Sequence, residues 1–201
     1  MAYRLEITTR SELPDPEGRS IRRKARDYFG IEIEDVRAVQ VVTLDVDLTA
    51  DQLERVRTEL FTNPVTQVSS FAPLPTPFDF TLWIGYRPGV RDNPGATAME
   101  AMADILQTAF PPDAAVYTSS RYCLTGRSLT ADQVDRLAAE LLANDIIQQW
   151  RIIGKDRWDP ETGIGIILPK GDPQPHPDAL DDSHRQRRDP PADQQIGRAH
   201  V

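Results

Sequence analysis

Apolar residues along this chain recur first at every second position and then at three- and four-residue intervals, and the whole alternation happens twice. Residues 3–8, YRLEIT, put apolar side chains at alternate positions, as a strand with one buried face requires. Past a polar loop, Ile21, Ala25, Tyr28 and Phe29 fall on one stripe of a helix. VRAVQVVTLDV at 36–46 predicts one long strand, with no Gly, Pro or Asn to interrupt it. Thr49 is placed to cap a second helix, with Gln52 at the reciprocal capping-box position and Leu53, Val56, Leu60 and Phe61 turned inward. A short strand over about 65–71 completes the series.

The second series repeats the first element by element. FTLWIGY (80–86) predicts a strand, Met99, Met102, Ile105 and Leu106 a helix, and AAVYTSSRYCL (114–124) a long strand. Val134, Leu137, Leu141 and Leu142 mark a second helix, and IIQQWRII (146–153) a last strand. The residues repeat as well as the pattern, since TADQLERVRTELFTNPVTQ at 49–67 recurs as TADQVDRLAAELLANDIIQ at 130–148. Upstream, LPDPEG (13–18) lies over VRDNPG (90–95), which aligns Asp15 with Asp92 and Gly18 with Gly95. The shift changes from 77 to 81 between these landmarks, so the second copy carries four extra residues, expected within TAFPPDAAV. The expected fold is therefore α+β, with two tandem strand-helix-strand-helix-strand modules at 3–71 and 80–158. APLPTPFD at 72–79 joins them as a short, stiff linker. Each module is marginal in core size, so the two are expected to share a sheet or a helix layer as an intramolecular pseudo-dimer.

Composition limits the function classes. A net charge of -8 argues against gripping nucleic acid or an anionic membrane, which needs clustered Lys and Arg. The single cysteine, Cys123, cannot build a disulfide framework or a thiolate metal cluster, and a reducing cytoplasm fits it best. MAYRLEITTR has no apolar signal-peptide core, and no run of about 18 apolar residues could span a bilayer, so a soluble, unsecreted protein is expected. From about residue 171 to 201 prolines and mixed charge replace apolar periodicity, and a disordered tail is expected there. The final QIGRAHV can be read from CAG ATC GGA AGA GCA CAC GTC, which contains the opening of a widely used sequencing adapter. The expectation is an artefactual tail on a truncated reading frame.

No catalytic, cofactor-binding or metal site is expected. There is no Gly-rich phosphate loop, all three histidines lie in the tail, and Cys123 on its strand lacks a histidine partner for nucleophilic catalysis. The carboxylates read as solvated faces and helix starts. The loop RPGVRDNPG at 87–95 reads mainly as a turn, with Pro94 suited to a first helical turn and Gly89 to a positive φ, although a helix start can also offer amides to an anion. Trp83, Trp150 and Trp158 read as core or inter-module packing. Six residues remain as interface candidates: Arg87 and Asp92 in that loop, Asn63 and Asn144 at the helix ends, where a left-handed cap would suit Asn, and the recurring strand residues Gln67 and Gln148.

YRLEITTRSELPDPEGRSIRRKARDYFGI, VRAVQVVTLDVDL and FTNPVTQ resemble the PurS-type module of phosphoribosylformylglycinamidine synthase. The second copy resembles it more closely still, through WIGYRPGVRDNPGATAMEAMADIL, VYTSSRYCLTG and LLANDIIQQWRI. Two such modules resemble the amino-terminal region of the large, fused form of that enzyme. The resemblance implies a non-catalytic portion that holds synthetase and glutaminase in register and helps enclose the ammonia path. It implies synthetase domains and a glutaminase as partners, with ATP and Mg as cofactors of those other domains. The competing expectation is a pair of ACT-like amino-acid-binding modules, a fold that needs two strands between its helices where this sequence predicts one.

Overall fold

The computed structural model describes residues 1–169, so the expectations for the tail over 171–201 lie outside the described residues. The first series runs β1 (Ala2–Thr9), α1 (Pro16–Phe29), β2 (Asp35–Asp45), α2 (Ala50–Val56) and β3 (Gln67–Ser70). The second runs β4 (Phe80–Tyr86), α3 (Asn93–Leu106), β5 (Ala115–Thr125), α4 (Ala131–Leu137) and β6 (Gln148–Gly154). Both α2 and α4 open on the expected capping box, Thr49 with Gln52 and Thr130 with Gln133, and both widen into a π turn, at Arg57–Phe61 and Ala138–Leu142.

The six strands form one antiparallel sheet in the order β3-β1-β2-β5-β4-β6. The β2/β5 ladder runs from Asp35 opposite Thr125 to Asp45 opposite Ala115, with Gln40 opposite Ser120 at its middle. Between the helices of each series lies one unbroken strand of 11 residues, against the two that the ACT-like arrangement needs.

Alternation along the strands sends one set of side chains to the helices and the other set to the opposite face. On the helical face, Ile21 and Ala25 of α1 pack with Val134 and Leu137 of α4 over Leu82, Ile84, Tyr122 and Leu124. Val56 of α2 packs with Met102 of α3 over Leu5, Ile7, Val42 and Leu44. Each helix pair thus takes one member from each series, and both clusters draw residues from both series. On the other face, Val39, Val41, Trp83 and Cys123 are covered by Leu74 and Phe78 from 72–79 and by Trp158, Ile164 and Ile167. The segment read as a stiff linker is a packed strap.

Three local expectations are corrected. Tyr28 sits at the margin of the α1 stripe and is 75% exposed, while Gly18, Ile21 and Ala25 carry the contact. The last strand of each series starts at Gln67 or Gln148, later than the apolar run suggests, because a hydrogen-bonded turn takes the residues before it. The four extra residues are split: the α3–β5 connection (107–114) is three longer than its counterpart (30–34), and the loop after β5 holds the fourth.

Candidate functional site

The two loops that enter α1 and α3 are built alike. Asp15 caps α1 by accepting from Gly18 N (2.9 Å) and also takes Ala38 N of β2 (2.7 Å). Asp92 caps α3 through Gly95 N (2.7 Å) and takes Thr118 N of β5 (2.5 Å), with the Thr118 hydroxyl also donating to it at 3.0 Å. One carboxylate thereby anchors a helix start to the central strand it crosses. The glycines follow from that closeness, because a Cβ on Gly18 would lie 1.9 Å from the Val36 carbonyl oxygen and one on Gly95 2.1 Å from that of Val116. Gly89 takes the expected positive φ, at 83°. Asp92, an interface candidate, is a buried cap, and the N–H groups of both Gly95 and Ala96 donate to it.

Arg87 and the Asn and Gln candidates meet at the far end of the second series. Asn144 Oδ1 accepts from Ile146 N (3.1 Å), while Gln148 Oε1 accepts from Asn144 N (2.8 Å) and Gln148 N donates to the Asn144 carbonyl (2.7 Å). Arg87 Nε then donates to the carbonyls of Asp145 (3.0 Å) and Gln148 (2.9 Å). The first series repeats the arrangement with Asn63 and Gln67, whose side chains bond Val65 N (2.9 Å) and Asn63 N (2.9 Å), and with Arg10 donating to the Pro64 carbonyl (2.8 Å). Asn-x-x-x-Gln is a side-chain brace for the π-helix-to-strand turn. Neither Asn adopts a positive φ, so the left-handed cap expected at these positions does not form. Gln67 and Gln148 begin the two edge strands, whereas the two series join at β2 and β5.

The chemistry that the sequence pattern did not suggest lies on the second face of the sheet. Arg121 on β5 and Glu6 on β1 are both fully buried, and Arg121 Nη2 donates to Glu6 Oε2 at 2.8 Å. That carboxylate also accepts from Leu74 N (2.8 Å), and Arg4 Nε approaches its other oxygen at 3.5 Å. Arg121 further reaches Cys123 Sγ (3.1 Å) and the Leu74 carbonyl (3.4 Å), and its guanidinium lies 5.1 Å from the Trp158 ring centroid. Arg4 donates to the carbonyls of Thr162 (2.6 Å) and Gly165 (3.0 Å), which fastens the segment after β6 across the face. Burial pushes the Cys123 thiol above its ordinary range and draws the Arg4 guanidinium down, Glu6 partly opposing the latter. On the helical face, burial and the Glu17 carboxylate beside it raise the Tyr122 hydroxyl. One sequence signal could have found Glu6: the alignment of the two series places it over Trp83, and a position that takes Trp in one series is not an ordinary solvated one.

An open groove of about 550 Å³ lies between the start of α3 and the loop before β5, lined by Arg91, Met99, Glu100, Phe110, Pro111 and Tyr117. Among the described residues no three His, Cys, Asp or Glu side chains gather as a metal site would require, and no helix is long and apolar enough to cross a membrane. Trp83 is buried in the sheet, Trp158 stacks edge-on against Phe78 at 5.1 Å, and Trp150 donates to Asp135 (2.8 Å) while packing on the α1/α4 core.

Residues 2–72 match the PurS family model, described as phosphoribosylformylglycinamidine (FGAM) synthase. The match spans β1 through β3, so it is the first series that is similar to the PurS domain of that synthase family. No curated protein matches the chain.

Proposed function

We propose that the chain is the PurS-like portion of an FGAM synthase, two tandem PurS-like modules paired as an intramolecular pseudo-dimer, acting in the cytoplasm without catalysing a reaction itself. Its role is to hold a synthetase and a glutaminase in register and to help enclose the ammonia path between them. ATP and Mg belong to the synthetase domains, and glutamine to the glutaminase.

One observation carries this reading: a segment that matches the PurS family is followed on the same sheet by a second series of the same elements, joined to it through paired central strands. The polar side chains that recur in the two copies serve caps and braces, which suits a scaffold. The test mixes the purified chain with a synthetase lacking its PurS portion and with the glutaminase. Co-elution of all three, with glutamine-dependent FGAM formation restored and ammonia-dependent formation unchanged, is the expected result. A chain that neither co-elutes nor changes the glutamine-dependent rate would refute the proposal.

A further inference from the structure

The register of the sheet relates the two series residue by residue. Residues of β1 correspond to those of β4 at a shift of 77, and residues of β2 to those of β5 at a shift of 80, which brings Glu6 onto Trp83, Arg4 onto Thr81 and Val41 onto Arg121. Gln40 corresponds to Ser120, and these two face each other at the middle of the ladder, where a two-fold axis relating the series would pass. That axis generates two equivalent places on the second face. One holds Glu6 of β1 with Arg121 of β5, and the other holds Trp83 of β4 among Val39 and Val41 of β2. The first place is ionic and the second apolar, although the backbone around them is the same.

We infer that the Glu6–Arg121 pair selects the partner of each module, making the first module accept the second and refuse a second copy of itself. This rests on the proposed reading of the chain as two paired modules. Suppose two second modules paired about the same axis. Each Arg121 would then lie against the partner's Trp83, leaving two buried guanidinium groups without the carboxylate that now sits 2.8 Å away. Suppose instead that two first modules paired. Each Glu6 would face Val41 and keep only Arg4 at 3.5 Å and the Leu74 amide. Only the mixed pair satisfies Glu6 and Arg121 together and leaves Trp83 and Val41 to pack with each other. Breaking a buried pair by removing one partner is strongly unfavourable, on the order of a hundred- to a thousand-fold in an equilibrium constant, whereas apolar replacement of both partners is often tolerated. A charge pair of this kind discriminates mainly by penalising the wrong partner. The site is poorly suited to adding raw stability, since Arg4 Nε, Glu6 Oε1 and Arg121 Nε are buried without a hydrogen-bond partner.

The position on the axis supplies a direct readout in the full chain. A cysteine at Ser120 meets another cysteine at Ser120 only when two second modules pair, because within one chain it faces Gln40. Chains carrying Ser120→Cys are refolded from urea at high concentration, oxidised, and scored for covalent dimers, with circular dichroism confirming that they are folded; Cys123 is buried and stays silent. With Arg121 present, crosslinked dimer should stay near background. Arg121→Val turns the second-module pair into two Trp83–Val contacts and should raise crosslinked dimer at least ten-fold. Arg121→Met, which removes the charge while nearly keeping the volume, carries the same expectation if the valine variant does not fold. A chain with both Gln40→Cys and Ser120→Cys should form its disulfide within the chain. If that internal disulfide forms and neither Arg121 variant raises the dimer, the pairing stands and the selector role is overturned. If the internal disulfide does not form, the paired-module reading itself falls.

Discussion

Replacing Gly95 by Ala tests the helix entry at its tightest point. In an ordinary helical position that change stabilises, because Ala gains about 1 kcal/mol of helix preference over Gly. Here the added methyl carbon would lie 2.1 Å from the Val116 carbonyl oxygen and 2.9 Å from Cγ of Asp92, so α3 must move away from β5 by about 1 Å to restore contact distance. That movement stretches the bonds from Asp92 to Gly95 N (2.7 Å) and Thr118 N (2.5 Å). Overpacking against backbone contributes about 1–3 kcal/mol of destabilisation and a weakened cap about 1 kcal/mol, which together outweigh the helix gain and leave a net loss of about 2 kcal/mol. For a body of this size a urea slope of about 2 kcal/mol per molar turns that into a midpoint lower by about 1 M. Urea unfolding followed by circular dichroism measures it, with Glu100→Ala on the exposed side of α3 as the control that should shift by less than about 0.5 kcal/mol. Gly18→Ala should behave like Gly95→Ala, because its methyl would lie 1.9 Å from the Val36 carbonyl oxygen. An unchanged or raised midpoint in Gly95→Ala would show that the close approach does not constrain the fold.

Asn144→Ala and Gln148→Ala should each destabilise by about 1 kcal/mol, and the double variant by less than their sum, since both belong to one brace; strict additivity in urea melts would contradict the shared role. Gln107 holds a left-handed conformation at φ 52° where α1 ends on Gly30 at φ 65°. Gln107→Gly should therefore raise the melting temperature by one or two degrees, relief of about 1 kcal/mol of backbone strain exceeding the lost bond to the Asp104 carbonyl; a lowered melting temperature would reverse that ranking. Tyr122 and Cys123 are both held protonated in the folded chain, their folded pKa values lying above the unfolded ones. Above about pH 9 the unfolded state loses these protons first, so their contribution is fully present below that pH and declines as pH rises. Tyr122→Phe should flatten the alkaline fall in melting temperature between about pH 9 and 11, and an identical slope in the variant would rule out the tyrosine as a source.

The sequence alone was sufficient for what depends on residues a few positions apart. Strand alternation, the helix stripes, the capping boxes at Thr49 and Thr130, the positive φ at Gly89 and the single long strand between helices were all legible, because backbone hydrogen bonding and side-chain period are local. The sequence also aligns Asp15 with Asp92, although it does not reveal that both are buried caps tied to a central strand. The tertiary structure decided which helices share a core: α1 pairs with α4 and α2 with α3, a choice no single amphipathic stripe encodes because any apolar stripe can cover any apolar strand face. It also decided the fate of the second face. Glu6, Arg121 and Leu74 are far apart in the chain, and only the sheet order brings them within hydrogen-bonding distance beneath a strap that reads, in sequence, as a proline-rich linker. Burial of a strand's polar face depends on what other segments fold over it, and that is a property of the assembled chain.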